Sequence, residues 1–127
     1  MTIQERGQLA ADLKQQCNCC QAVVLALKDQ VNISEEDLFN MAGSFGLGMR
    51  NMKGTCGALV GAEMIAGLVT GGDRAVAKNI NEKFEEMTGA VICGDIKGVK
   101  TGKVLCPCDE CCRNAVLAYG AFVELKK

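Results

Sequence analysis

Sulfur is the one functional group this chain is rich in: it carries nine cysteines and no histidine. Without histidine there is no Cys–His nucleophile pair, no Ser–His triad and no mixed Cys/His metal set. What remains is thiol–disulfide exchange or ligation by thiolates alone. The odd count rules out complete internal pairing. The cysteines are grouped. Cys17, Cys19 and Cys20 stand in CNCC, Cys106, Cys108, Cys111 and Cys112 in CPCDECC, and Cys56 and Cys93 stand alone.

Cys56 lies in KGTCGALVG, where an apolar helical run begins. A helix start presents unpaired N–H groups and the positive end of the macrodipole, which favour thiolate over thiol. A cysteine with an ordinary pKa of about 8.5 falls well below it at such a place. Cys19 sits at another expected helix start and shares the argument. Redox chemistry also needs a second thiol, with Cα atoms within about 7 Å. For Cys56 that partner must come from a distant part of the chain.

Two other readings compete. Cys17-x-x-Cys20 and Cys108-x-x-Cys111 form two CxxC pairs, an all-sulfur set that suits Zn or an Fe–S cluster. Cys17-x-x-Cys20, however, spans a helix start and not the tight turn of a zinc knuckle. The plainest reading makes each cysteine a small buried hydrophobe; Cys17 and Cys112, which continue apolar stripes, fit it best.

The elements that must position these thiols read as helices. Residues 3–16 are amphipathic. Asn18 with Gln21 is a capping-box pattern that opens a second helix, with Cys19 and Cys20 in its first turn. Ser34 starts a short helix that stops near Gly43. The glycine-rich GSFGLGMRNMKG follows, with Thr55 as the expected N-cap of a helix from Cys56 to about Val69. Asp73 caps the next helix, whose Val76, Ile80, Phe84 and Met87 share one face and which Gly89 ends. AVICGDIKGVKTGKVLCPC reads as irregular, with AVIC or GKVLC as short extended pieces. A last helix runs from about Asp109 to Leu125, with Cys112, Val116, Tyr119 and Val123 in a stripe. The expectation is an all-α, single-domain bundle over residues 1–127, with five to six helices, a Gly-rich loop and a Cys-rich irregular segment.

Composition narrows the function classes. The chain has 127 residues, 49% hydrophobic, enough for one packed core. A net charge of −1 gives no basic footprint for nucleic acid or a membrane surface. No apolar run approaches the ~18 residues of a membrane span. MTIQERGQLA does not resemble a secretory signal, so a cytoplasmic setting is expected. There reduced thiols point to metal or redox chemistry, not a disulfide scaffold.

The spaced cysteines also resemble a bacterial and archaeal family regarded as redox-active and named for its C-G-A-x-x-G motif. Asn18-Cys19-Cys20-Gln21-Ala22-Val23 is similar to its N-C-A-Q-A-V. Residues 42–49, AGSFGLGM, are similar to its A-S-G-F-G-G-G-M. Cys56-Gly57-Ala58-Leu59-Val60-Gly61 is the motif itself, and Cys93-Gly94-Asp95-Ile96-Lys97-Gly98 is similar to C-R-E-L-L-G. For the fourth cysteine, Arg113-Asn114-Ala115 favours Cys108 and Pro107 favours Cys106. Cys20 stands where alanine is usual, and Cys17, Cys106, Cys111 and Cys112 are extra. The resemblance implies a small helical protein with a redox-active set of Cys19, Cys56, Cys93 and Cys108, related to thiol–disulfide oxidoreductases. Cys56 is the expected thiolate, with Cys19 and Cys93 as its nearest partners. No cofactor is required, and the expected partner is a redox protein; a homodimer is compatible. A Zn or Fe–S module held by Cys17, Cys20, Cys108 and Cys111 is the alternative.

Overall fold

The computed structural model describes residues 1–126. Among the described residues there are seven α-helices: α1 (Ile3–Leu13), α2 (Cys19–Ala26), α3 (Glu35–Met41), α4 (Gly57–Thr70), α5 (Arg74–Thr88), α6 (Cys93–Lys97) and α7 (Cys108–Phe122). No strand is present among the described residues. A single antiparallel bridge joins Thr55 and Ile92.

The helix starts follow from local chemistry. The Asn18 side chain accepts the Gln21 N–H at 2.8 Å, and the Gln21 side chain accepts the Asn18 N–H at 3.1 Å. This reciprocal box satisfies two donors that would otherwise be orphaned at the start of α2. Asn18 also donates to the carbonyl oxygens of Ala42 and Gly43, tying that start to the glycine-rich loop. Ser34 caps α3 and Asp73 caps α5, as the sequence suggests. α5 ends at Gly89 with φ 101°, a left-handed value that glycine adopts without strain.

Helix α7 is the hub and packs on α1, α2, α4 and α5; α2 also packs on α4, α1 and α3. Tyr119, Phe84, Leu27, Leu59, Ile65 and Ile80 are fully buried between these helices. Each such side chain contributes about 1.5–3 kcal/mol by leaving water. The expected stripe of Cys112, Val116, Tyr119 and Val123 is buried throughout. On α5, Ile80 and Phe84 form the core face.

Several boundaries differ from the sequence expectation. The first helix ends at Leu13, not near residue 16. Cys56, not Thr55, is the N-cap of α4, because Thr55 is engaged in the bridge to Ile92. The segment expected to be irregular contains the short helix α6, and GKVLC forms no extended pair. Its Leu105 N–H instead bonds the Ile96 carbonyl oxygen at 2.8 Å and folds the loop back on α6. The glycine-rich stretch is wound and not a plain connection: Leu47, Met49, Arg50 and Met52 all have φ between 54° and 69°. No described helix is long and apolar enough to cross a membrane.

Candidate functional site: a cavity at four helix starts

Cys19 opens α2, Cys93 opens α6, Cys108 opens α7, and Cys56 is the N-cap of α4. The fold brings these four starts to one cavity of about 180 Å³, and all four cysteines line it. Cys19, Cys56 and Cys93 are buried, while Cys108 is half-buried.

The bridge fixes Cys56 and Cys93 beside each other. The Cys56 N–H bonds the Val91 carbonyl oxygen at 2.7 Å, and the Cys93 N–H bonds the Gly54 carbonyl oxygen at 2.9 Å. Thr55 and Ile92 are the paired residues between them, so each cysteine leaves the bridge directly into its helix. The glycines after Cys56 are steric necessities. A Cβ on Gly57 would stand 2.6 Å from the Phe45 carbonyl oxygen, and one on Gly61 would stand 3.0 Å from the Cys20 carbonyl oxygen. Glycine at both positions lets the loop lie on the start of α4 and lets α2 approach α4.

The thiols are electrostatically unequal. The neighbouring Cys111 side chain favours the Cys56 anion and brings the Cys56 pKa down to about 7, outweighing the cost of burial. The sulfur makes no capping hydrogen bond of its own to α4. The unpaired N–H groups of Ala58 and Leu59 nevertheless face it, and the Lys97 ammonium adds a favourable charge. The Cys111 thiol is pushed up by the same pairing and by burial, so the pair shares one proton that resides on Cys111. With both thiols protonated, the Cys111 thiol donates to the Cys106 carbonyl oxygen at 3.7 Å. The Cys56 anion is the stronger acceptor, and it takes the proton donor when Cys56 ionises.

A second thiol pair lies across the cavity. Cys19 and Cys108 line the cavity and act on each other's titration, and Lys97 donates to the Cys108 sulfur. At Cys19 the neighbouring Cys108 favours the anion. Cys112, burial and the neighbouring sulfurs oppose it and carry the pKa up to about 12. A helix start therefore does not set the thiol by itself: at Cys56 the neighbouring Cys111 leads, and at Cys19 a dry site crowded with other thiols outweighs the helix end. The neighbouring Cys19 and burial push Cys108 up against the pull of Lys97. Burial pushes Cys93 up as well.

Of the two candidates for the fourth cysteine, Cys108 lines the cavity. Cys106 is buried behind it, where its sulfur accepts from Asn114 Nδ2 at 3.8 Å. The sequence marks Cys111 only through its CxxC spacing from Cys108, while its place beside Cys56 joins residues far apart in the chain. All nine cysteines are free thiols.

The set Cys17, Cys20, Cys108 and Cys111 is not gathered. Cys17 donates to the Leu13 carbonyl oxygen at 3.3 Å, and the Cys20 sulfur sits 4.0 Å from that of Met64. Cys108 and Cys111 face Cys19 and Cys56 instead. Among the described residues, no group of three or more Cys, Asp or Glu side chains is placed to hold a metal ion. Cys17, expected as a core residue, is half-buried at the rim of the core; Cys112 is fully buried.

Fold and site together define a helical protein with a cavity of clustered thiols. The chain belongs to the family described as "Putative redox-active protein (C_GCAxxG_C_C)", whose model matches residues 17–121. No curated protein and no solved structure matches it.

Proposed function

We propose that this protein exchanges electrons through thiol–disulfide chemistry, with Cys56 as the attacking thiolate and Cys111 as the resolving thiol. The observation that carries the reading is the gathering of Cys19, Cys56, Cys93 and Cys108 around one cavity, with Cys111 beside Cys56 and favouring its anion, so that the Cys56 thiol comes down to about 7. A thiol whose pKa lies close to ambient pH combines a high anion fraction with good nucleophilicity.

The Cys56 thiolate attacks one sulfur of a substrate disulfide, forms a mixed disulfide and releases the other sulfur as thiolate. Cys111 then loses its proton and attacks the Cys56 sulfur. The Cys56–Cys111 disulfide forms, the second substrate thiol leaves, and two electrons have passed to the substrate. Exchange with Cys19 and Cys108 conserves the number of disulfides and moves the bond to the half-exposed Cys108. There a dithiol partner protein takes the disulfide over, becomes oxidised itself and restores the thiols.

The test is a titration of the anaerobically purified protein against a thiol–disulfide redox buffer, with alkylation trapping and intact mass. Reversible loss of one thiol pair is expected, and Cys56→Ser should abolish it. Identical oxidation of wild type and Cys56→Ser would sink the reading, as would stoichiometric zinc or iron occupying the thiols.

A further inference from the structure

The cavity that holds the thiols is also lined by Lys14, Arg50 and Lys97, and by no carboxylate. Among the described residues none of these three cations forms an ion pair with a carboxylate; the five ion pairs involve other basic residues. They reach the site from three different elements. Lys14 is the C-cap of α1, Lys97 ends α6, and Arg50 belongs to the wound loop. Arg50 is held at φ 69°, a left-handed value that strains a non-glycine residue. The loop thus carries a strained basic residue at the cavity.

Size restricts the occupant. At ~30 Å³ for each water, the cavity has room for about six water volumes. That suits a head group of a few heavy atoms and not a folded surface. Cys56, at 5% exposure, is reached through this space.

We infer that the cavity is a binding site for small anionic sulfur compounds, in which an electrophilic sulfur is bonded to a group bearing a carboxylate or sulfur oxyanion, with Lys14, Arg50 and Lys97 holding the anion. The inference rests on the thiol–disulfide reading above and names the substrate class for it. Two sources share this chemistry. With a thiosulfate-type anion, the Cys56 thiolate attacks the outer sulfur, a persulfide forms on Cys56, and sulfite leaves with the electron pair of the broken S–S bond. With a carboxylate-bearing disulfide, the same attack leaves a mixed disulfide on Cys56 and expels the carboxylate-bearing thiolate. In both, three fixed cations offset the repulsion between an anionic substrate and an anionic nucleophile.

The experiment measures the rate of Cys56 modification in the reduced full chain by intact mass and peptide mapping. Four probes are used: thiosulfate, dithiodiglycolate, the neutral hydroxyethyl disulfide and the cationic cystamine. Because Cys111 resolves the first adduct, Cys56 is recovered as a disulfide to Cys111 and the released products separate the two sources: sulfite and sulfide for thiosulfate, thioglycolate for dithiodiglycolate. Modification by at least one anionic probe is expected. Dithiodiglycolate should react about tenfold faster than hydroxyethyl disulfide at low salt, with cystamine slowest, as fixed charges raise local substrate concentration. Added salt should shrink the anionic advantage.

In Lys14→Gln/Arg50→Gln the ratio of anionic to neutral rates should fall about fivefold or more. Lys97 is left intact because it also bonds Cys108. Should the double variant not fold, the salt dependence of the wild type decides alone. Equal rates for anionic, neutral and cationic disulfides, or a salt-independent ratio, overturn the anion site and leave the redox reading standing. No modification of Cys56 by any probe overturns the redox reading and this inference with it.

Discussion

The Cys111 side chain, one turn into α7, neighbours Cys56 at the start of α4 and favours its anion. Two helices whose sequences lie far apart thereby share one proton between two sulfurs. Cys56 gains anionic character from a neighbour that stays protonated. The rate of iodoacetamide alkylation should rise with pH through a midpoint near 7 and lose that component in Cys56→Ser. Cys111→Ala should move the midpoint up toward the ordinary thiol value of about 8.5. Cys111→Ser, which keeps a hydroxyl donor, should restore part of the shift.

The same pairing makes stability depend on pH. The folded Cys56 pKa lies below its ordinary value of 9.0, so the folded state binds fewer protons than the unfolded chain between about 7 and 9. The stabilisation from Cys56 builds between about 7 and 9 and is lost as pH falls through about 7; above about 9 the proton that the folded pair keeps on Cys111 works against it. Denaturant midpoints of wild type and Cys56→Ala across this window should differ in slope with that sign.

Glu63 in α4 acts in the opposite direction. One of its carboxylate oxygens is buried without a hydrogen-bond partner, and desolvation raises its pKa to about 7. Its contribution is fully present below the ordinary value of 4.5 and is lost as pH rises through about 7. Glu63→Gln should therefore stabilise the protein at pH 8 by roughly 1–2 kcal/mol, with a far smaller effect at pH 5. Urea unfolding at the two pH values checks both.

Gly48 holds the wound loop against the site. Its φ is 54°, and a Cβ there would lie 2.4 Å from that of Cys93 and 2.8 Å from the Gly54 carbonyl oxygen. The backbone and the neighbour both resist a side chain. Gly48→Ala should cost about 2–3 kcal/mol in thermal or denaturant unfolding and should change the alkylation rate of Cys93.

Asn18 couples helix capping to the same loop. Asn18→Ala removes the acceptor for the Gln21 N–H and both bonds to the carbonyl oxygens of Ala42 and Gly43. A loss of about 1–2 kcal/mol is expected. The hydrogen-exchange protection of residues 42–52 should fall with it.

What could be read from the sequence was what local chemistry determines. Asn18 with Gln21, Ser34, Asp73 and Gly89 end or begin helices through bonds within a few residues, and each was legible. The amphipathic face of α5 was legible for the same reason, since periodicity reports one-sided burial. Thr55 looked like the better cap than Cys56 because its bridge to Ile92 is a long-range contact that no local pattern reveals. Helix α6 has only five residues, too few for periodicity to mark. Cys19 shows the limit of the helix-end argument: its position was right, but its protonation is set by burial and by Cys112 and Cys108, which arrive from the far end of the chain. Cys111 was missed as a redox residue for that reason.

The most direct test is where the first disulfide forms. Reduced protein is treated with a limiting amount of oxidant, quenched by alkylation and mapped by peptide mass spectrometry. A Cys56–Cys111 bond should appear first, with Cys19–Cys108 following as oxidant is added. First oxidation at sulfurs away from the cavity, such as Cys17 or Cys20, with Cys56 still alkylated in full, would contradict it.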